Sequence, residues 1–507
     1  MSSPAEDFNY LVVSDLHLSE SERNPVGRFF HFDQDFADFL RHYRLSYIGQ
    51  RRWRLIIDGD FIEFFQMTQP PEPHDRLLRG VTLTATDRRF FPGTEWQKSV
   101  WKMDRALRSH PQLLLALGRF LLAGNEIYIL RGNHDVEMFW PQVQDHFRLL
   151  LAQHHPADTT YLDMKTAIRE RLHFLPWFFL EKDLVYVEHG CQYDPFCTNE
   201  HNLCPVVPAK PHQIHLPFSA FTMRYFAARM AMIDPAAIEN VNSIPRYLGR
   251  LIVKNPLQAL LMPYYYAEMI VRTLRNVGLG AGDTEREVAA REAAARRALE
   301  RMYDLPPATV AAIEALRETP ILGSLRATIK SFSLDMIAAG LAASAAIWLA
   351  APRSRRGRLA ATSLTGLLVS GLISKWVKRA STINDHRNLR EIARCIAATL
   401  GVRYVVFGHS HQPDAHRLSA DRDSWYFNVG TWVPNLNEGQ FIYLHVLRDG
   451  GGSAQLMRWN RKWQRPEELD PARFSQDRAQ RRRLLAEERR GTTAGASASL
   501  EAPPARG

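Results

Sequence analysis

Short apolar runs recur along the first 190 residues and again near residue 405, and each stops abruptly at a cluster of polar side chains. "YLVV" leads into Ser14-Asp15-Leu16-His17, and "RLII" leads into Asp58-Gly59-Asp60. "EIYIL" leads into Arg131-Gly132-Asn133-His134-Asp135, "LVYVE" into His189-Gly190, and "RYVVF" into Gly408-His409-Ser410-His411. The β-branched and aromatic content of these runs predicts strands. Five polar clusters would then sit at the carboxyl ends of five strands, the edge at which open α/β sheets bind ligands. Asp-Gly and Gly-Asn also form ordinary turns. Five such clusters in register with strand ends are more than turn formation explains.

The chemistry of the clusters narrows the ligand. Asp15, His17, Asp60, Asn133, His189, His409 and His411 offer carboxylate, amide and imidazole donors, with no thiolate at a motif position. Such a mixed N/O set suits manganese, iron, zinc or nickel. It is too large for one ion, and it suits two ions sharing a carboxylate. Two ions roughly 3.5 to 4 Å apart can clamp a phosphate and generate hydroxide at neutral pH.

The order Asp-x-His, Gly-Asp, Gly-Asn-His-Asp, His-Gly and Gly-His-x-His resembles the calcineurin-like metallophosphoesterases, over roughly residues 8–190 and 400–450. The resemblance implies an α+β fold, a four-layer α/β/β/α sandwich with two mixed sheets face to face and helices outside. It implies that Asp15, His17 and His411 hold one ion, that Asn133, His189 and His409 hold the other, and that Asp60 bridges them. It further implies that His134 contacts the substrate phosphate and protonates the leaving oxygen, oriented by Asp135. The stretch "FNVGTW", with Asn428, Gly430 and Thr431, resembles the strand and turn after the family's last motif. Many members carry an Asp three residues after the Gly-Asp pair; this chain has Glu63 there. "GDFIEFF" and "HGCQYDP" are similar to the branch that includes UDP-2,3-diacylglucosamine hydrolase, although that branch has Arg where this chain has His134. The expected activity is two-metal hydrolysis of a phosphodiester or pyrophosphate bond, with a lipid-linked or nucleotide-lipid substrate. The alternatives are a phosphomonoesterase or phosphoprotein phosphatase, or a non-catalytic membrane adaptor on the same fold.

About 200 residues separate His189 from His409, far beyond a common loop, so that gap must hold structure of its own. The chain therefore divides into a first core segment (1–194), a mainly helical insertion (195–399), a second core segment (400–465) and a charged tail (466–507) expected to stay unfolded. Within the insertion, "DTEREVAAREAAARRALERMYDL" has strong helix formers and Glu/Arg pairs at helical spacing. Two apolar segments, 336–351 and 359–377, flank the loop "PRSRRGR" and predict a hairpin over 336–377. Arg353, Arg355, Arg356 and Arg358 at its tip, with Arg326, Lys330, Lys375, Lys378 and Arg379 flanking its outer ends, favour a hairpin lying at an anionic membrane surface. Two membrane spans would send the tip arginines across, against the positive-inside tendency; a buried helical pair is the other alternative.

The chain of 507 residues is 46% hydrophobic, ample for a large core, and carries a formal charge of +10. That charge favours anionic partners: a phosphorylated substrate or an anionic lipid surface. No zinc-finger spacing or RNA-recognition signature accompanies it, so no nucleic-acid partner is expected. Cys191, Cys197 and Cys204 lie near His201 at a spacing that fits no standard zinc knuckle, and with Cys395 they suit reduced thiols. The acidic start "MSSPAEDF" and a first apolar run that delivers Asp15 argue against a cleaved signal peptide. A cytoplasmic, membrane-associated enzyme is expected.

Overall fold

The computed structural model describes residues 8–20, 32–65, 67, 71–72, 74–226, 255–275, 283–331, 334–352, 354–381, 386–419, 423–433, 440–448 and 452–469. The tail beyond 469 and the stretch 227–254 of the insertion lie outside them. The fold is mixed α/β. One sheet of seven strands runs β14-β13-β12-β1-β2-β3-β4, from β1 (Phe8–Val13), β2 (Arg52–Asp58), β3 (Glu126–Leu130), β4 (Leu172–Leu175), β12 (Ile442–Leu447), β13 (Ser453–Asn460) and β14 (Arg465–Glu468). A second, of five, runs β10-β11-β9-β6-β5, from β5 (Phe179–Glu181), β6 (Val185–Glu188), β9 (Tyr404–Phe407), β10 (Asp414–Ser419) and β11 (Ser424–Asn428). Strands β1, β2, β3 and β4 are parallel neighbours, and so are β6, β9 and β11; the outer pairings are antiparallel. Both sheets are therefore mixed. A two-stranded ribbon, β7 (Val206–Val207) with β8 (Lys210–Ile214), lies outside them.

Strand side chains alternate between the two faces of a sheet, and the buried clusters follow that period. Tyr10 and Val12 of β1 and Ile56 of β2 share a core with Val185 and Val187 of β6 and Val406 of β9, so the two sheets pack against each other. Leu11, Val13, Leu55 and Ile57 point the other way, into a core with α1 (Asp33–Leu45), α3 (Trp96–Arg108), α4 (Pro111–Leu122), α5 (Pro141–Gln153) and α6 (Tyr161–Arg171). A short α2 (Ala85–Phe90) and α7 (Phe218–Tyr225) add to that side. Tyr186, Val405 and Phe407 of the second sheet face a third core with α9 (Asp283–Tyr303), α10 (Pro307–Glu314) and α14 (His386–Leu400). This two-sided burial explains why the strands read as continuous apolar runs rather than as an alternation.

Among the described residues of 195–399, helices dominate beside the ribbon and its turns, and several of them are woven into the core. Helix α14 supplies the return path to β9, because a strand parallel to β6 needs a crossover. Arg390 on α14 clamps Asp414 at the start of β10 with two 2.8 Å hydrogen bonds. The insertion also contains α8 (Pro256–Leu274), α11 (Leu325–Ser331), α12 (Leu334–Ala350) and α13 (Arg355–Ser381). Helices α12 and α13 pack on each other as a helical pair, with α11 against α12. Among the described residues, no helix is long and apolar enough to cross a membrane.

Candidate metal centre

All five polar clusters emerge from the carboxyl ends of parallel strands: β1, β2 and β3 of one sheet, β6 and β9 of the other. Because the sheets pack face to face, five loops distant in sequence meet along one edge. Their approach is close enough to require glycine. A Cβ on Gly132 would lie 2.6 Å from the Asp60 backbone nitrogen, and one on Gly59 would lie 2.6 Å from the His189 ring. The polar residues themselves are bent sharply. Asp15 (φ 56°), His17 (46°), Asp60 (48°), His409 (62°) and His411 (54°) all adopt left-handed backbone conformations. Each such conformation costs a non-glycine residue about 1 to 3 kcal/mol and persists only where the surroundings impose it, as at a functional site.

The side chains converge into groups whose donor atoms lie within 4.8 Å of one another. One is Asp15, His17 and His411; another is Asp60, His189 and His409; His17, Asp60 and His134 form an overlapping one between them. In the first, Asp15 Oδ1 lies 2.9 Å from His411 Nε2 and 3.8 Å from His17 Nε2. Asp60 Oδ2 faces both groups, 3.2 Å from His189 Nε2 and 3.8 Å from His17 Nε2. Its other oxygen accepts from the His134 backbone N–H at 2.8 Å, which fixes the carboxylate between them. Buried Asn133 Oδ1 and His189 Nε2 make no hydrogen bond. His189 Nδ1 donates to the Asp58 carbonyl at 2.8 Å, so Nε2 is the nitrogen turned toward Asp60. An unsatisfied amide oxygen and an unsatisfied imidazole nitrogen beside shared carboxylates are the donors a divalent cation takes. These residues therefore fit metal binding.

The electrostatics point the same way. Burial opposes ionisation of Asp15 and Asp60, yet the surrounding imidazoles, His411 for the first and His189 for the second, hold both well below the usual carboxylate range. Burial would lower His189, but Asp60 and Asp15 push it up to about 10. The cavity thus holds ionised carboxylates that attract protons onto the imidazoles. A cation entering would displace those protons. Asp58, in the same cluster as Asp60, belongs to none of these groups. Burial, with the neighbouring carboxylates, drives its pKa well above the ordinary value.

His134 sits beside the first group, its ring in edge contact with that of His17 at 4.7 Å. The resemblance assigns its orientation to Asp135, and the geometry differs. Asp135 accepts from the backbone N–H groups of Phe61 (2.9 Å) and Gly132 (2.6 Å), tying two of the loops together. The His134 ring is held instead by Glu63, whose Oε2 takes Nδ1 of His134 at 2.7 Å and Nδ1 of His17 at 3.2 Å. The reason is position. Asp135 is the residue at which its loop turns into a short 3-10 helix, and its carboxylate is consumed by backbone donors.

Asp194 is a second residue that the motif reading passed over. Its Oδ2 lies 3.3 Å from His409 Nε2, while Oδ1 accepts from Phe196 N at 2.8 Å. With Nε2 of His409 engaged, Nδ1 is the atom left for a cation. Cys197, Asp194 and His409 also offer donors within 4.8 Å of one another, whereas Cys191, Cys204 and His201 join no such group among the described residues. The only signal for Asp194 was its spacing after His189-Gly190. The insertion braces this turn: the Glu318 and Ile321 backbone N–H groups donate to the carbonyls of Gln192 (3.0 Å) and Pro195 (3.2 Å). Arg131, half-buried and two residues before Asn133, donates to the carbonyl of Asn202 at 3.0 Å. Thr431 Oγ1 donates to the Asp15 carbonyl (2.8 Å) and Asn428 Nδ2 to that of Gly408 (2.7 Å), so "FNVGTW" buttresses the first and last of the five loops. No family model matches the chain, and no curated protein matches it in sequence.

Proposed function

We propose that the chain is a two-metal phosphoesterase of the calcineurin-like kind, its sheets and helices forming that family's four-layer α/β/β/α sandwich. The observation that carries the reading is the single oxygen, Asp60 Oδ2, placed between two convergent ligand groups. Asp15, His17 and His411 would hold one divalent ion and Asn133, His189 and His409 the other, with Asp60 shared; manganese is the first choice, with iron, zinc or nickel as alternatives. Such a pair supplies Lewis-acid polarisation of the phosphoryl oxygens and a water acidified toward neutral pH. The chain supplies the rest. Glu63 fixes the His134 ring, which donates a proton to the departing oxygen. The five loops hold the reacting groups without further rearrangement. The substrate class is a phosphodiester or pyrophosphate, on a lipid-linked or nucleotide-lipid molecule.

Metal content and turnover test this together. Purified protein should hold two divalent ions per chain and hydrolyse bis-p-nitrophenyl phosphate faster than p-nitrophenyl phosphate. Asp60→Asn keeps the volume but removes the charge that lets two cations sit close together, and it should lower both metal content and turnover. Full metal content with near wild-type turnover in that variant would refute the shared-oxygen assignment. Two bound ions with no turnover of any phosphate ester or pyrophosphate would leave a binding scaffold instead.

A further inference from the structure

We infer that the α12–α13 hairpin is a membrane anchor that lies flat on an anionic bilayer surface. Its two helices pack on each other but leave large apolar side chains in solvent. Leu349 is 87% exposed and Leu367 72%, with Leu341, Trp348, Leu359 and Leu364 also exposed. At 3.6 residues per turn, Leu341, Trp348 and Leu349 lie within about 100° of one another around α12, one apolar face. Leu359, Leu364 and Leu367 span about 140° of α13. An exposed apolar patch of this kind marks an interaction surface.

Charge identifies what covers it. Residues 336–351 and 359–374 contain no Asp, Glu, Lys or Arg. Cations crowd both ends: Arg353, Arg355, Arg356 and Arg358 at the tip, and Arg326, Lys330, Lys375, Lys378 and Arg379 at the base. The only acid between Arg326 and Arg379 is Asp335, so this segment carries most of the chain's net charge of +10. Arg326, Lys330, Arg355, Arg356 and Arg358 are exposed. Apolar middles with cationic ends match a bilayer boundary, where acyl chains take the leucines and anionic headgroups take the arginines. Length sets the orientation. The 17 residues of α12 rise about 25 Å, short of the roughly 30 Å hydrocarbon core. An upright hairpin would bury four arginines in hydrocarbon, so lying flat is the arrangement that leaves every charge at the headgroups.

The inference does not depend on the proposed chemistry, and its test uses the whole chain as purified. The protein should float with mixed phosphatidylcholine–phosphatidylglycerol vesicles and stay behind with pure phosphatidylcholine. Replacing Arg353, Arg355, Arg356 and Arg358 with Gln should weaken binding roughly a thousand-fold, since each basic residue near such a surface contributes about 1 kcal/mol. Leu341→Ser with Leu349→Ser should weaken it independently of salt. Equal binding to both vesicle types, or binding indifferent to both sets of changes, would overturn the inference. So would a lipid-free dimer that the leucine changes dissociate, which would make a second copy the occupant. Orientation is read with Arg356→Cys on a Cys395→Ser background, because the remaining cysteines are buried. A flat hairpin leaves Cys at 356 reactive to an impermeant maleimide added outside the vesicles. Protection of a floated protein would mean that the tip has crossed, and flat placement would be wrong.

Discussion

Glu63→Gln is the sharpest test of how the site is organised. The carboxylate is buried and accepts three hydrogen bonds. Oε2 takes Nδ1 of His134 (2.7 Å) and Nδ1 of His17 (3.2 Å), and Oε1 takes the Phe65 backbone N–H (2.8 Å). Burial opposes its charge, but His134 and His17 hold its pKa down to about 2. It is therefore acceptor-only, which places hydrogens on both imidazole Nδ1 atoms and turns both Nε2 atoms to the site; burial opposes a charge on His134, but Glu63 and Asp60 raise its pKa, so its Nε2 can carry the proton to be donated. Glutamine cannot reproduce this. With its oxygen toward the two rings, its NH₂ meets the Phe65 N–H donor to donor; flipped, it abandons both rings. Each charge-assisted bond contributes about 1.5 to 3 kcal/mol, and a buried donor left unpaired costs a further 1 to 3. Partners that orient metal-ligating histidines change metal affinity or activity about 10- to 100-fold. We expect Glu63→Gln to lose kcat/KM on bis-p-nitrophenyl phosphate by that factor, with weaker metal binding at the His17 site, measured by titration against a chelator. Asp135→Asn, by contrast, should act mainly on thermal stability, because its carboxylate holds backbone groups. Wild-type turnover and metal affinity in Glu63→Gln would refute the argument, as would a loss seen only in Asp135→Asn.

Three further outcomes follow from the same geometry. His134→Ala should keep its metal content while kcat falls about 10²- to 10⁴-fold; the loss should shrink for good leaving groups, and an equal loss across leaving groups would leave His134 only a phosphate contact. Asp194→Ala should weaken metal binding at the His409 site about 10- to 100-fold and spare the His411 site; three ions per wild-type chain would instead make Asp194 and Cys197 direct ligands. His215 lines a cavity of about 300 Å³ beside Lys98 and Arg224, and burial, helped by His201, pulls its pKa down to about 4. The unfolded chain binds that proton near pH 6.5, so stability should fall as pH drops from about 6.5 toward 4, by about 1 to 2 kcal/mol at pH 5. His215→Leu should flatten that part of the urea-midpoint profile between pH 7 and 5; an unchanged profile would show that other groups carry the acid sensitivity.

The strand-end clusters were legible because their signals are local. An apolar β-branched run and the polar residues that end it are neighbours in the chain, and strand periodicity does not depend on what packs alongside. That is enough to place Asp15, Asp60, Asn133, His189 and His409 at strand ends, and the donor types alone imply metal chemistry.

What the sequence left open depends on directions that no local pattern encodes. Asp135 adjoins His134 in the chain, yet Glu63, 71 residues away, holds the ring; the choice rests on which carboxylate the backbone had already engaged. Asp194 meets His409 across 215 residues, only because β6 and β9 pair in parallel. The left-handed backbone of five candidate ligands comes from tertiary packing that compels each loop to turn within one or two residues. The hairpin shows the same division. Its apolar stretches and terminal arginines are plain in the sequence, whereas the exposure of its leucines depends on which faces of α12 and α13 their neighbours leave uncovered. Hydropathy is a property of the segment, and burial is a property of its neighbours, which tertiary structure alone supplies.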